Sequence, residues 1–202
     1  MRKLLFLIFI VSAGLASAQP VTETPFKYFG FQAGVIISNM NFNLGSTAPD
    51  TTIKSVWKPG FTFGFILQIP LVEKLSLQPE YSFTRRYGTD QSIGTDFRLD
   101  YFSMPLLLKY GISDRFDLIA GPQFDLLINA QSTSKGESTD ITHIVEERCI
   151  GVVGGLEVHI TSEFFISGRY FQSFNNIGVW QRSGDVKEFK YQLLSLTAGI
   201  RF

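Results

Sequence analysis

The sequence has 202 residues, 45% of them hydrophobic, with 20 Phe, 18 Gly, a single Cys and 18 Lys+Arg against 18 Asp+Glu. That length suits one domain, and the zero formal balance excludes the basic footprint of a nucleic-acid binder. One cysteine closes no internal disulfide and supplies no CxxC site, and beyond the N-terminus no run reaches the ~18 apolar residues a membrane helix needs, so any membrane crossing must use strands.

The N-terminus reads as an export signal over residues 1–18, leaving 19–202 as one barrel domain. Arg2-Lys3, the uncharged run Leu4 to Val11 and Ala16-Ser17-Ala18 form its charged, apolar and small-residue regions, with cleavage expected after Ala18. Loss of Arg2 and Lys3 leaves 16 basic against 18 acidic residues, a formal charge of −2. No Cys lies near the cut for lipid attachment. Cys149 then sits in an oxidising compartment, where it is expected as a packed small hydrophobe.

From Phe29 onward apolar residues recur at every second position, the period of a strand and not of a helix. Eight strands are expected, near Lys27–Ser38, Trp57–Ile69, Leu75–Tyr87, Arg98–Tyr110, Phe116–Ala130, Arg148–Ile160, Phe164–Asn175 and Tyr191–Phe202. In the last, Leu194, Leu196, Ala198, Ile200 and Phe202 share one face, and Ser195, Thr197, Gly199 and Arg201 the other. Links two to three, four to five and six to seven are short, and the others are long. This rhythm predicts an all-β, eight-stranded antiparallel up-and-down transmembrane β-barrel. The face assignment follows from volume: eight strands leave an interior that side chains only just fill, so the large apolar face must point outward into lipid. The opposite face carries Gly30, Gly34, Gly64, Gly121, Gly155 and Gly199 among Gln, Ser and Thr.

The segments Leu75-Ser-Leu-Gln-Pro-Glu-Tyr81, Leu99-Asp-Tyr-Phe-Ser-Met-Pro-Leu-Leu-Leu-Lys-Tyr110, Ala120-Gly-Pro122 and Leu194-Ser-Leu-Thr-Ala-Gly-Ile-Arg-Phe202 resemble the PorT-like outer-membrane β-barrels. The resemblance spans the mature chain and implies residence in the outer membrane of a Gram-negative bacterium. It also implies that the terminal Phe202 is the signal read by the barrel-insertion machinery. The namesake branch is associated with protein secretion across that membrane.

Pro79, Pro105 and Pro122 fall inside strands of a sheet with no edge, so bulges are expected there. By parity Glu80, Arg86, Lys109, Asp117, Asp125, Glu157, Arg169 and Arg201 point inward with Gln32, Gln68, Gln78 and Gln123. Four acids facing four bases in a narrow interior predict a structural charge network and a plugged lumen. No catalytic residue, metal ligand set or cofactor site is assigned. His143, in a loop with Asp140, Glu146 and Glu147, matches no ligand spacing, and His159 is expected inside beside Glu157 and Arg201. The long loops, Met40–Ser55, Gly88–Phe97, Gln131–Glu147 and Asn176–Lys190, are the expected binding surface, with Trp180 as a candidate contact. The functional expectation is a non-catalytic structural or interaction role, with outer-membrane lipid and an external ligand or secretion partner as partners. The alternative is a narrow porin-like channel or an accessory of protein secretion.

Overall fold

A computed structural model of the chain describes residues 27–44, 56–91, 94–134, 136–180 and 186–202. The expected export signal lies outside them, as do parts of all four long connections. Among the described residues alternating side chains give ten strands: β1 Tyr28–Asn41, β2 Lys58–Val72, β3 Leu75–Asp90, β4 Thr95–Gly111, β5 Phe116–Ser134, β6 Glu137–Asp140, β7 Arg148–His159, β8 Phe164–Ser173, β9 Ile177–Trp180 and β10 Val186–Arg201. Eight of them pair in the order β1-β2-β3-β4-β5-β7-β8-β10, and β10 returns to β1, so the antiparallel sheet closes into a barrel. The seam runs from Gly30 opposite Arg201 to Asn41 opposite Lys190.

Burial follows the pleat. Phe29, Phe31, Val35 and Ile37 of β1 are exposed on the outer wall, and Gln32, Ile36 and Ser38 are buried within. The interior is tight at its glycines: a methyl group on Gly64 would overlap the carbonyl oxygen of Tyr81 and stand 2.5 Å from Ser82 Cα. Only a residue without Cβ fits where neighbouring strands coil this closely.

The three strand prolines do not create bulges. Ile66↔Glu80 and Ile69↔Leu77 keep one register on either side of Pro79. Pro79↔Leu106 and Ser82↔Ser103 do the same beside Pro105, as do Pro105↔Gln123 and Leu108↔Ala120 beside Pro122. The fixed φ of proline lies within the extended region, so each proline forfeits a local ladder bond while the strand runs on. The register shifts instead between Asp100 and Tyr101, opposite Asn129 and Leu127, and again between Pro70 and Val72. The first shift, which leaves Ile128 as the extra residue, turns Ala130 into the interior.

The strands also run beyond their expected long-loop ends. β3 and β4 continue to Asp90 and Thr95, which pair directly. β5 continues to Ser134 and folds back as β6, with Gly136 at φ 86° in the turn. β9 pairs with the start of β10. Much of what reads as loop is therefore sheet standing above the barrel.

Candidate functional site in the barrel lumen

Moving outward along single strands, the hydrophobic pattern inverts. In β4, Phe102, Leu106, Leu108 and Tyr110 are exposed on the outer wall over buried Ser103 and Lys109, whereas nearer the long-loop end Phe97, Leu99 and Tyr101 are buried and Arg98 and Asp100 take the outer wall. In β10, exposed Leu194 and Leu196 give way to buried Leu193, Tyr191 and Phe189. This inversion marks the level at which lipid ends. Below it the wall must be apolar, and above it water surrounds the sheet, so apolar groups turn inward.

The lumen is consequently filled in two styles. Its long-loop half is an apolar core of Met40, Phe42, Leu99, Tyr101, Ile141, Val145, Ile177, Phe189, Tyr191 and their neighbours. Phe189 packs at ring-centroid distances of 5.4 Å from Phe42 and 5.1 Å from Tyr191. Cys149 is fully buried in this core.

Ion pairs fill the rest in three layers. In the first, Arg86 Nη2 donates to Asp125 Oδ2 at 2.5 Å, both side chains being wholly buried, and Gln123 donates to the other Asp125 oxygen at 2.7 Å. The Arg86 guanidinium lies 4.5 Å from the Tyr101 ring centroid and 5.1 Å from that of Tyr191, so aromatic faces complete its surroundings. In the second, Arg169 donates to Glu80 at 2.6 Å, and Glu80 also accepts from Gln32 and Gln78. In the third, near the short turns, Lys109 lies 2.9 Å from Asp117 and also bonds Glu157, which in turn pairs with Arg201. His159 Nε2 stands 2.6 Å from Asp117 Oδ2 and 3.5 Å from Arg201. All eight charged residues singled out by parity thus lie inside and meet a partner of opposite sign. Gln32, Gln68, Gln78 and Gln123 are buried with them.

Between the first two layers lies a cavity of about 50 Å³, lined on one side by Gln32, Glu80, Ser82, Thr84, Ser103 and Arg169 and also by Ile36, Val153, Phe171 and Leu193. It has room for about three waters. At the short-turn mouth a vestibule of about 440 Å³ is lined by Lys27, Glu73, Lys74, Lys109, Asp117, His159 and Arg201.

Asp117, Glu157 and His159 offer ligand atoms within 4.8 Å of one another, a grouping the spacing of the two histidines along the chain does not reveal. Lys109 and Arg201 already occupy these carboxylates, so a divalent ion would have to displace two resident cations. His143 stands apart from this cluster, exposed in the short 3₁₀ turn Thr142–Ile144. Beside it, Asp140 Oδ1 accepts the backbone N–H of Thr142 at 2.8 Å, and this bond holds the carboxyl below its ordinary value. Trp180 ends β9, its backbone opposite Val186. Phe202 closes the wall, exchanging backbone bonds with Phe29.

A pairing absent from the sequence reading lies outside the lumen. Arg85 forks onto Asp100 at 2.7 and 2.9 Å on the outer wall at the level of the inversion. Its signal was the run Arg98-Leu99-Asp100-Tyr101, where charge changes face.

Residues 18–178 match the family model described as outer membrane protein beta-barrel domain. No curated protein sequence matches the chain. Among solved structures, Neisserial surface protein A (NspA) is similar at a TM-score of 0.55 and 15% identity, covering 86% of this chain and 97% of that one. Ail, the attachment invasion locus protein of Yersinia pestis, is similar at a TM-score of 0.50 and 17% identity, covering 87% and 98%. At these identities the likeness is one of fold. The closed barrel, its apolar band and the family match together make the chain a member of the outer membrane protein beta-barrel domain family, an eight-stranded barrel of the Gram-negative outer membrane.

Proposed function

We propose that this barrel is a non-catalytic component of the outer membrane with a structural or interaction role, and that its external strand extensions and loops are the surface partners meet. The observation carrying this reading is the continuous apolar core filling the long-loop half of the lumen. A solute path through it would require Tyr101, Phe189 and Tyr191 to part, and the buried Arg86–Asp125 pair to break below them. The eight lumen charges act as structural filler, residues 1–18 as an export signal and Phe202 as the mark read by the insertion machinery. The proline-bearing strand motifs support membership of the PorT-like branch within the family. The polar vestibule favours a second reading, a narrow channel or secretion accessory entered from the periplasmic end.

Liposome swelling with small sugars separates the two readings. Little or no uptake is expected. Swelling comparable to that of a porin would overturn the plugged lumen and turn the charged layers into selectivity elements.

A further inference from the structure

The lowest lumen layer differs from the other two in one of its cations. Arg86, Arg169 and Arg201 carry guanidinium groups, which stay protonated and are not nucleophiles, whereas Lys109 becomes an amine once it gives up a proton. Its Nζ lies 2.9 Å from Asp117 Oδ2 and also bonds Glu157 Oε1, and all three residues are buried. Three strands bring them together: Gly111 at the end of β4 pairs with Asp117 of β5, and Asp117 pairs with Glu157 of β7. The two carboxyl groups have different surroundings. Arg201 pairs with Glu157 and keeps it an anion, hence a base. His159 Nε2 stands 2.6 Å from Asp117 Oδ2 but 3.5 Å from Glu157, so an Nε2–H there polarises the Asp117 carboxyl. A nucleophile, an electrophile and a base are thus in contact, beside a vestibule that Lys109 and Asp117 both line.

We propose that Lys109 and Asp117 condense to an isopeptide bond that staples β4 to β5 from inside the barrel. Glu157 takes a proton from the Lys109 ammonium and delivers it to Asp117. The freed amine lone pair attacks Asp117 Cγ, and the carbonyl electron pair moves onto Oδ2, where the His159 Nε2–H holds it. Glu157 then takes a second Nζ proton and passes it to the hydroxyl, which leaves as water while C=O re-forms. One ammonium and one carboxylate become one amide and one water, and Glu157 and His159 end as they began. Holding the reacting groups in contact supplies the entropy that the same condensation lacks between free molecules. The product also suits its surroundings. A costly pair of buried charges becomes a neutral amide, Glu157 is left to balance Arg201 alone, and the water escapes into the vestibule. The bond depends on this layer alone, whether or not a solute passes through the lumen.

The full chain is refolded into phosphatidylcholine vesicles, sampled over time, unfolded and digested with trypsin for mass spectrometry. A branched fragment is expected in most chains: residues 99–115, uncut after Lys109, joined to residues 116–135 and lighter by one water than the two peptides together. Lys109→Arg keeps the cation and should give no branch. Glu157→Gln keeps amine and electrophile but removes the base, and should slow branching at least about a hundredfold while heat-modifiable gel migration shows the barrel folded. His159→Leu, which leaves all four charges of the layer in place, should slow it severalfold and serves where Glu157→Gln does not fold. Complete tryptic cleavage after Lys109 in the folded parent would overturn the bond. Branching at the parent rate in the folded base or imidazole variant, or in chain held unfolded in urea, would overturn the reaction as assigned, because the layer would then not be directing it.

Discussion

Replacing Glu157 by Gln isolates the energetics of the lowest lumen layer. Lys109 and Arg201 there balance Asp117 and Glu157, with side chains 3%, 4%, 8% and 0% exposed. The amide keeps the shape of the carboxylate but leaves two cations facing Asp117 alone. Stranding a buried charge costs about 3–5 kcal/mol, and the adjoining vestibule moves the expectation to the low end, about 3 kcal/mol. Adding Arg201→Gln restores one cation to one anion, with Lys109 still 2.9 Å from Asp117. The double variant should therefore lose about 2 kcal/mol, less than Glu157→Gln alone, with a coupling of at least about 1.5 kcal/mol. Urea titration of vesicle-refolded protein, followed by tryptophan fluorescence and gel migration, measures Glu157→Gln, Arg201→Gln and the double variant, and an unchanged m value shows that the folded state is unaltered. Losses that add to within about 0.5 kcal/mol would refute the argument, because independent residues would then account for the layer.

Glycine position predicts opposite outcomes on the two faces. Gly64→Ala must push Tyr81 and Ser82 aside and should cost about 2 kcal/mol or more in the same titration, whereas Gly154→Ala, with nothing within 4 Å of its new methyl, should fall within about 0.5 kcal/mol of the parent. The Asp140 bond to Thr142 predicts a local pH dependence. A carboxyl whose folded value is depressed stabilises its partner above its unfolded value and loses that effect as pH falls through the depressed one, so the protection of the Thr142 amide, its exchange rate measured against the free-peptide rate at the same pH, should fall on acidification. In Asp140→Asn this pH dependence of the protection should vanish; its persistence would assign it to another group.

The barrel's closure was legible because parity holds from end to end in strands such as β8 and in β10 from Leu194 onward. The same parity brought Glu80, Arg86 and Arg169, far apart in sequence, to one interior. It failed where a single pattern was carried past the membrane. Leu99, Tyr101 and Tyr191 stood on the face expected to be polar, yet above the lipid the solvent changes and the same inward positions become the apolar ones. The extensions of β3, β4 and β5 were masked by Ser, Thr, Asn and Asp, residues that favour turns in isolation. Here the sheet below them already fixes their register. The prolines misled for a related reason: one missing ladder bond is small beside the register imposed by long strands on either side.

The seam between β1 and β10 sets the order of events during assembly. Its partners are the first and last strands of the barrel, joining residues as remote as Phe29 and Phe202, so the seam cannot form until β10 is in place beside β1. The neighbouring hairpins require only short loops to close, whereas the seam bears the loop entropy of nearly the entire polypeptide. Folding should therefore accumulate an open sheet with two free edges before a slow closing step, the stage at which an edge-binding assembly factor has most to hold and at which shortening β10 is most damaging.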